Sequence, residues 1–181
     1  MSGSLVEMKV ESVRVHTLSS QHVVILRELD RDRYLPIWIG PWEASAIAMR
    51  LQGVTPERPL THDLLVAMLD KLGATVREVV IADLAEETFH ARIRLEMGGR
   101  QVEVDSRPSD ALALAVRTGV RVFAASSVLE RAGVSGEGGR DDEDADAGGA
   151  VMDDEGLAVF RDFVNSLDMG DEPREGPPSP A

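Results

Sequence analysis

The sequence contains no cysteine, which excludes disulfides, thiolate zinc sites, iron–sulfur clusters and cysteine nucleophiles. No apolar run approaches the ~20 residues that a membrane-spanning helix needs. Residues 1–10 have neither the basic start nor the apolar stretch of a secretory signal peptide. A cysteine-free chain suits a reducing compartment. We therefore expect a cytoplasmic protein that does not associate with membranes.

Several motifs of enzyme chemistry are also missing. No Gly-rich phosphate loop follows a strand, because Gly98 and Gly99 have the pattern of a hairpin turn. No Ser-His-Asp arrangement can be singled out. A structural zinc site is not expected, because no metal-ligand spacing relates the four histidines, which are His16, His22, His62 and His90.

Charge is distributed unevenly along the chain. Residues 135–181 hold 14 of the 32 acidic and 3 of the 19 basic side chains, which is −11 of the total net charge of −13. Residues 1–134 therefore carry a net charge of only −2. The whole-chain charge says little about what this first part binds.

The composition divides the chain into four parts. Residues 5–134 have the apolar content of one folded domain. Residues 135–152 are predicted to be an acidic, Gly-rich linker and residues 169–181 a disordered tail. Between them, residues 153–168 are predicted to form an amphipathic helix. We expect this helix to bind the folded domain or a partner protein, because a helix of about 15 residues is marginal alone in water.

Within residues 5–134, apolar patterns predict two successive sets of strands and helices. Alternation at Phe89, Ala91, Ile93, Leu95 and Met97 is typical of a strand with one wet face. Helical spacing of apolar residues predicts a helix that begins near Thr61 and carries Leu64, Leu65, Met68, Leu69 and Leu72. The predicted strands are 6–15, 22–29, 35–39, 75–83, 89–97 and 102–104, and further helices are predicted at 41–51, at 108–118 and up to Gly133.

A ten-residue motif occurs twice in these predicted helices. The segment 41–50 recurs 67 residues later as 108–117, and both segments read Pro-x-acid-Ala-x-Ala-aliphatic-Ala-apolar-Arg. Chance likeness between alanine-rich helices is one explanation. Three strands precede each segment, so a duplicated β-β-β-α-α unit is the other. We predict an α+β fold in which a mixed β-sheet carries helices on one face.

Three segments resemble the signature of the bifunctional nuclease domain family. They are 104–115, 36–40 with 43–47, and 58–65. The likeness covers about 130 residues in the family's order, and the chain resembles a bacterial member. It implies an α+β fold and a nuclease that hydrolyses phosphodiester bonds in RNA, DNA or both. The acidic tail is not part of the family domain.

Phosphodiester cleavage requires an activated water and positive charge beside the phosphate. A histidine can act as general base or acid near neutral pH, and an arginine can bind phosphate bidentately. Mg²⁺ or Mn²⁺ would suit a site made of carboxylates. The predicted catalytic residues are His62, Asp63, Asp105, Arg107 and Asp110, and the predicted metal ligands are Glu43, Asp105 and Asp110.

Each of these residues also has a structural explanation, which for His62 is an ordinary surface position at the start of a helix. An acidic residue in a first helical turn stabilises the helix dipole by ~0.3–1 kcal/mol, which alone accounts for Glu43, Asp63 and Asp110. Arg107 could pair with Asp105 or Asp110 in a plain ion pair.

His90, Arg92 and Arg94 alternate along one strand. That stripe is either a track for phosphates or an ordinary solvated face.

The alternative function is a non-catalytic regulatory or scaffold domain that binds a partner protein or a small anionic ligand. The acidic net charge favours it, because acidic proteins repel nucleic acid at long range. We also predict a homodimer or larger assembly, because a sheet of this size has edges to protect.

Overall fold

The computed structural model describes residues 4–15 and 21–135. The predicted linker beyond Ser135, helix at 153–168 and tail at 169–181 lie outside the described residues. The strands within the described ranges are β1 Leu5–Val15, β2 His22–Glu28, β3 Arg33–Ile39, β4 Ala74–Ala85, β5 Thr88–Met97, β6 Arg100–Ser106, β7 Arg121–Ala125 and β8 Val134–Ser135. The helices are α1 Pro41–Leu51, α2 Thr61–Lys71, α3 Pro108–Thr118 and α4 Ser126–Ala132.

These strands form one mixed sheet in the order β6-β5-β4-β7-β1-β2-β3-β8. Strands β1 to β3 form one antiparallel set and strands β4 to β6 form another. Strand β7 lies between the two sets, antiparallel to β1 and parallel to β4. This arrangement confirms the predicted α+β fold with a mixed sheet.

One face of the sheet packs against the helices. On β5, Ala91 and Ile93 are buried, as the alternating pattern predicts, and they join the hydrophobic core. All four helices contribute apolar side chains to this core. Val128 and Leu129 come from α4, and Ile47 comes from α1. The predicted covering of the apolar sheet face by helices is therefore present.

Helix α3 lies deepest in this core. Its buried residues are Pro108, Ser109, Ala111, Leu112, Ala113, Leu114 and Ala115. A helix that is apolar nearly all round must be enclosed on all sides. Its alanines are small, so neighbouring elements can approach its backbone closely. Gly119 has a φ of 70° and ends the helix in the left-handed conformation that glycine adopts readily.

Helices α1 and α3 carry the repeated motif and lie side by side. Near their N-terminal ends, Arg107 contacts Glu43 at 3.0 Å. Towards their C-terminal ends, Nε of Arg50 donates to the carbonyl oxygen of Val116 at 3.4 Å. The two helices therefore run in the same direction. The order β-β-β-α occurs twice, whereas β7 separates the two helices of the second unit.

Helix α2 begins at Thr61, as its apolar spacing predicts, but most of its apolar residues lie outside the core. No residue of α2 is buried, and Leu64, Met68 and Leu72, just past its end, are 55%, 53% and 69% exposed. Only Val66 and Leu69 reach the core, and they are partly buried. Spacing identifies an apolar face on a helix, but it does not say what covers that face.

No helix of the described ranges is long and apolar enough to cross a membrane. Strands β6 and β8 are the edges of the sheet. The predicted assembly into a homodimer or larger oligomer stays a prediction.

The buried position of α3 predicts a large effect of truncating its side chains. Leu112 is completely buried, so Leu112→Ala should lower the free energy of unfolding by about 2–5 kcal/mol. Leu29 is 47% exposed, and Leu29→Ala, as the matched control, should change it by less than about 0.5 kcal/mol. Urea denaturation measures both. A loss at position 112 no larger than at position 29 would contradict the central role of α3.

Candidate active site

Three helices present polar side chains from their first turns. Glu43 lies in the first turn of α1, Asp63 in that of α2, and Asp110 in that of α3. Pro41 and Pro108 begin α1 and α3, because proline has the φ angle of a helix and lacks an N–H that would have no partner there. The two prolines therefore determine where α1 and α3 begin, and with that the positions of Glu43 and Asp110 in the first turns.

Direct contacts join Glu43, His62, Arg107 and Asp110 into one group, called here the four-residue cluster. His62 Nε2 lies 3.2 Å from Asp110 Oδ1. Arg107 Nε donates to Asp110 Oδ2 at 2.8 Å, and Arg107 Nη2 donates to Asp110 Oδ1 at 3.1 Å. Arg107 Nη2 also lies 3.0 Å from Glu43 Oε1. The cluster is a continuous series of histidine, carboxylate, guanidinium and carboxylate.

The electrostatics of the cluster determine which atom of His62 carries a proton. Burial alone would raise the pKa of Asp110, but the hydrogen bonds from Arg107 and His62 outweigh it and hold that pKa below its ordinary value. An ionised carboxylate only accepts hydrogen bonds. Nε2 of His62 is therefore the donor, and in the neutral ring Nδ1 is left able to accept a proton.

The members of the cluster differ in exposure. The side chain of Arg107 is 66% exposed, whereas that of His62 is 13% and that of Glu43 is 18% exposed. The hydrogen bonds of Asp110 in particular raise the pKa of Arg107, so the guanidinium stays charged. Arg107 is thus the member most accessible to an anionic ligand from solvent, whereas His62 is largely enclosed.

Gly40 belongs to this site, although sequence reasoning did not single it out. A Cβ added at Gly40 would collide with the carboxylate of Glu43. The missing side chain therefore allows Glu43 to fold back towards the start of its own helix and reach Arg107. The signal was a glycine directly before the Pro-x-acid motif.

Asp63 follows His62 in sequence, but it contacts residues outside the four-residue cluster. Its Oδ2 accepts from the backbone N–H of Leu60 at 2.9 Å, and its Oδ1 accepts from Arg117 Nε at 2.6 Å. Burial alone would raise the pKa of Asp63, but these two partners lower it overall. Asp63 thus caps α2 and links it to α3. Arg117, which is 6% exposed, was missed as a site neighbour.

Asp105 does not join the cluster. It pairs in register with Arg92 of β5, while its neighbours Val104 and Ser106 pair with Ile93 and Ala91 of the core face. Because successive strand residues point to opposite faces, Asp105 lies on the wet face of the sheet. Among the described residues, no hydrogen bond or ion pair joins Asp105 to the cluster, and its predicted part in the site stays a prediction.

The described residues contain no group of three acidic or histidine side chains that could hold a metal ion. The predicted ligands Glu43, Asp105 and Asp110 do not form such a group. Glu43 and Asp110 both bind Arg107 instead. These residues do not fit a protein cage for Mg²⁺ or Mn²⁺, and the involvement of either ion stays a prediction.

The arginines of the wet sheet face are held by glutamates. Arg94 contacts Glu78 at 2.6 Å and Glu103 at 2.7 Å, and Arg92 contacts Glu103 at 3.4 Å. Opposite charges across neighbouring strands stabilise a sheet modestly. This network favours the solvated-face interpretation over a phosphate track.

The lowered pKa values of Asp63 and Asp110 predict a pH dependence of stability. Their ionised forms stabilise the fold above the ordinary pKa of 3.8, and this contribution is lost as the pH falls through the lowered folded values. Asp63→Asn and Asp110→Asn should therefore lose less stability than the wild type on acidification from pH 6 to pH 3. Urea denaturation at several pH values measures this, and the exposed Asp70→Asn is the control. Parallel curves for all proteins would contradict the assignment.

Comparison with known proteins agrees with the resemblance noted in the sequence. Residues 24–137 match the family model of the bifunctional nuclease domain. Uncharacterized proteins from two strains of Mycobacterium tuberculosis are each 43% identical over 165 residues, which is 91% of this chain and 96% of theirs. Bifunctional nuclease 1 of Oryza sativa subsp. indica is 25% identical over 114 residues, which is 61% of this chain and 34% of that protein. The family match spans more than half of the sequence, and the chain belongs to the bifunctional nuclease domain family.

Proposed function

We propose that the protein is a nuclease that hydrolyses phosphodiester bonds in RNA, DNA or both. One observation carries this proposal: Asp110 accepts hydrogen bonds from both His62 and the exposed guanidinium of Arg107. A base oriented by a carboxylate, next to a cation that can hold phosphate, is a recurrent arrangement for hydrolysis. The family and the plant relative's name, Bifunctional nuclease 1, support the same activity.

Arg107 binds the phosphate in this proposal. Its contacts with Asp110 and Glu43 use Nε and Nη2, while Nη1 carries two further N–H donors for the non-bridging phosphate oxygens. The two carboxylates fix the direction of the guanidinium. Fixed donors stabilise the charge that develops on the phosphate in the transition state without reorganising.

His62 acts as the general base. DNA has no 2′-hydroxyl, so a reaction common to RNA and DNA uses water as the nucleophile. Nδ1 of His62 takes a proton from this water as its oxygen forms a bond to phosphorus, and the bond from phosphorus to the leaving sugar oxygen breaks. The leaving oxygen then takes a proton from the imidazolium or from solvent. Asp110 orients the ring and stabilises its charged form.

We also propose that Mg²⁺ or Mn²⁺ assists cleavage, as the sequence led us to predict. No step is assigned to either ion, because the described residues provide no group of three ligands. An assay with and without each ion tests this part separately from the role of His62.

A non-catalytic role is the second candidate. Every acidic residue of the site is already bound to an arginine, with Asp63 on Arg117 and Glu43 and Asp110 on Arg107. Such pairs are typical of structural contacts, and the net charge of −13 opposes long-range attraction of nucleic acid. In this case Arg107 would bind a small anionic ligand or the acidic surface of a partner protein without cleaving it.

Cleavage of labelled single- and double-stranded RNA and DNA distinguishes the two functions. His62→Asn and Arg107→Gln should each reduce the cleavage rate by roughly 10²- to 10⁴-fold, because they remove the base and the phosphate-binding cation. Arg92→Gln lies on the wet sheet face, outside the cluster, and is the matched control. Each protein is assayed with EDTA, Mg²⁺ and Mn²⁺.

The nuclease proposal fails if wild-type protein cleaves no faster than His62→Asn prepared in parallel. The second candidate would then be supported if wild-type protein binds inorganic phosphate and Arg107→Gln does not. Circular dichroism of both variants shows whether the fold is kept.

A further inference from the structure

A shallow groove of about 370 Å³ lies where β3 passes into α1. Its lining includes Trp38, Gly40 and Pro41. The next residue, Trp42, is 84% exposed, more than any other large apolar side chain of the described residues. These two tryptophans are the only ones in the sequence, and both are exposed. Trp42 does not line the groove, but it directly follows Pro41, which does. Exposed apolar side chains that adjoin a groove form a candidate binding surface, whereas scattered ones need no explanation.

This groove adjoins the four-residue cluster. Gly40 lines the groove and also lies beneath the carboxylate of Glu43. Glu43 in turn contacts Arg107 at 3.0 Å. Trp42 stands in the sequence between Pro41, which lines the groove, and Glu43, which contacts Arg107.

We propose that Trp42, together with Trp38, forms a stacking subsite for an unpaired nucleobase of the strand whose phosphate binds Arg107. The substrate class is then single-stranded nucleic acid. This inference rests on the proposed function, because it assigns the phosphate of the same ligand to Arg107.

The charge distribution favours a single strand over a duplex. Duplex binding draws mainly on lysines and arginines that contact rows of phosphates. Here the wet-face arginines Arg92 and Arg94 already pair with glutamates, and residues 1–134 carry a net charge of −2. Stacking on aromatic rings depends less on charge and accepts any base, but the base must be unpaired.

Intrinsic fluorescence tests the subsite directly. In full-length Trp38→Phe protein, Trp42 is the only tryptophan. Titration with oligo-dT and oligo-U should quench its emission, whereas a duplex of the same length should quench it far less. In the wild-type background, Trp42→Ala should weaken single-strand affinity roughly 5- to 100-fold, measured by anisotropy of a labelled oligonucleotide.

Two further variants serve as controls for this test. Trp42→Phe retains a stacking ring and should recover most of the affinity. Leu72→Ala removes another exposed apolar side chain, on a different part of the surface, and should leave affinity unchanged. Equal affinity of Trp42→Ala and wild type, or equal quenching by single strand and duplex, overturns the proposal.

The outcome is separable from that of the cleavage assay. If Trp42 controls single-strand binding but wild-type protein cleaves nothing, the subsite stands and the nuclease function fails. If cleavage depends on His62 while Trp42→Ala keeps the affinity and KM of the wild type, the subsite alone fails. His62→Asn should lose cleavage and keep the quenching of Trp42.

Discussion

The enclosure of α3 in the core is the constraint on which the rest of the molecule depends. Its residues 111–115 are all buried, and three of them are alanines, so α1 and the sheet can pack closely around it. Asp110 stands at the start of this fixed helix, between the core and solvent. His62 and Arg107 are positioned by contacts with that one carboxylate. The positions of Asp110 and Arg107 therefore depend on the packing of α3, although both residues lie near the surface.

Much of the fold could be predicted from the sequence because local patterns decide it. The alternation of apolar and polar residues predicted β5, and the Pro-x-acid motif predicted where α1 and α3 begin. Three features depend on distant contacts and could not be predicted. They are the insertion of β7 between the two sets of strands, the outward face of α2, and the lack of a contact between Asp105 and the four-residue cluster among the described residues. In the site, His62, Arg107, Asp110 and Glu43 were predicted to meet and do so. Gly40 and Arg117 were missed because their roles depend on which side chains fold against them.

The arginines of the described residues differ in what surrounds them. Arg92 and Arg94 pair with glutamates on an open sheet face, where an ion pair contributes about 0–1 kcal/mol. Arg117 is 6% exposed and bound to Asp63, so removing that carboxylate would leave a buried charge without its partner, which is far more costly. Arg107 differs from these three arginines. It is held by two carboxylates, yet its side chain is mostly in solvent, so its charge is fixed in direction and still accessible.

Helix α2 combines an outward apolar face with polar anchors at its beginning. None of its residues is buried, and His62 and Asp63 in its first turn link it to α3. Elements with little buried apolar surface are those that unfold locally while the remainder of a protein stays folded. In such an opening His62 would leave Asp110, whereas Asp110, Arg107 and Glu43 would keep their places. His62 then belongs to the cluster only while α2 is folded. The pairing of histidine with carboxylate follows the local unfolding equilibrium of one surface helix, and anything that covers the leucines of α2 would lengthen the time for which the pair is assembled.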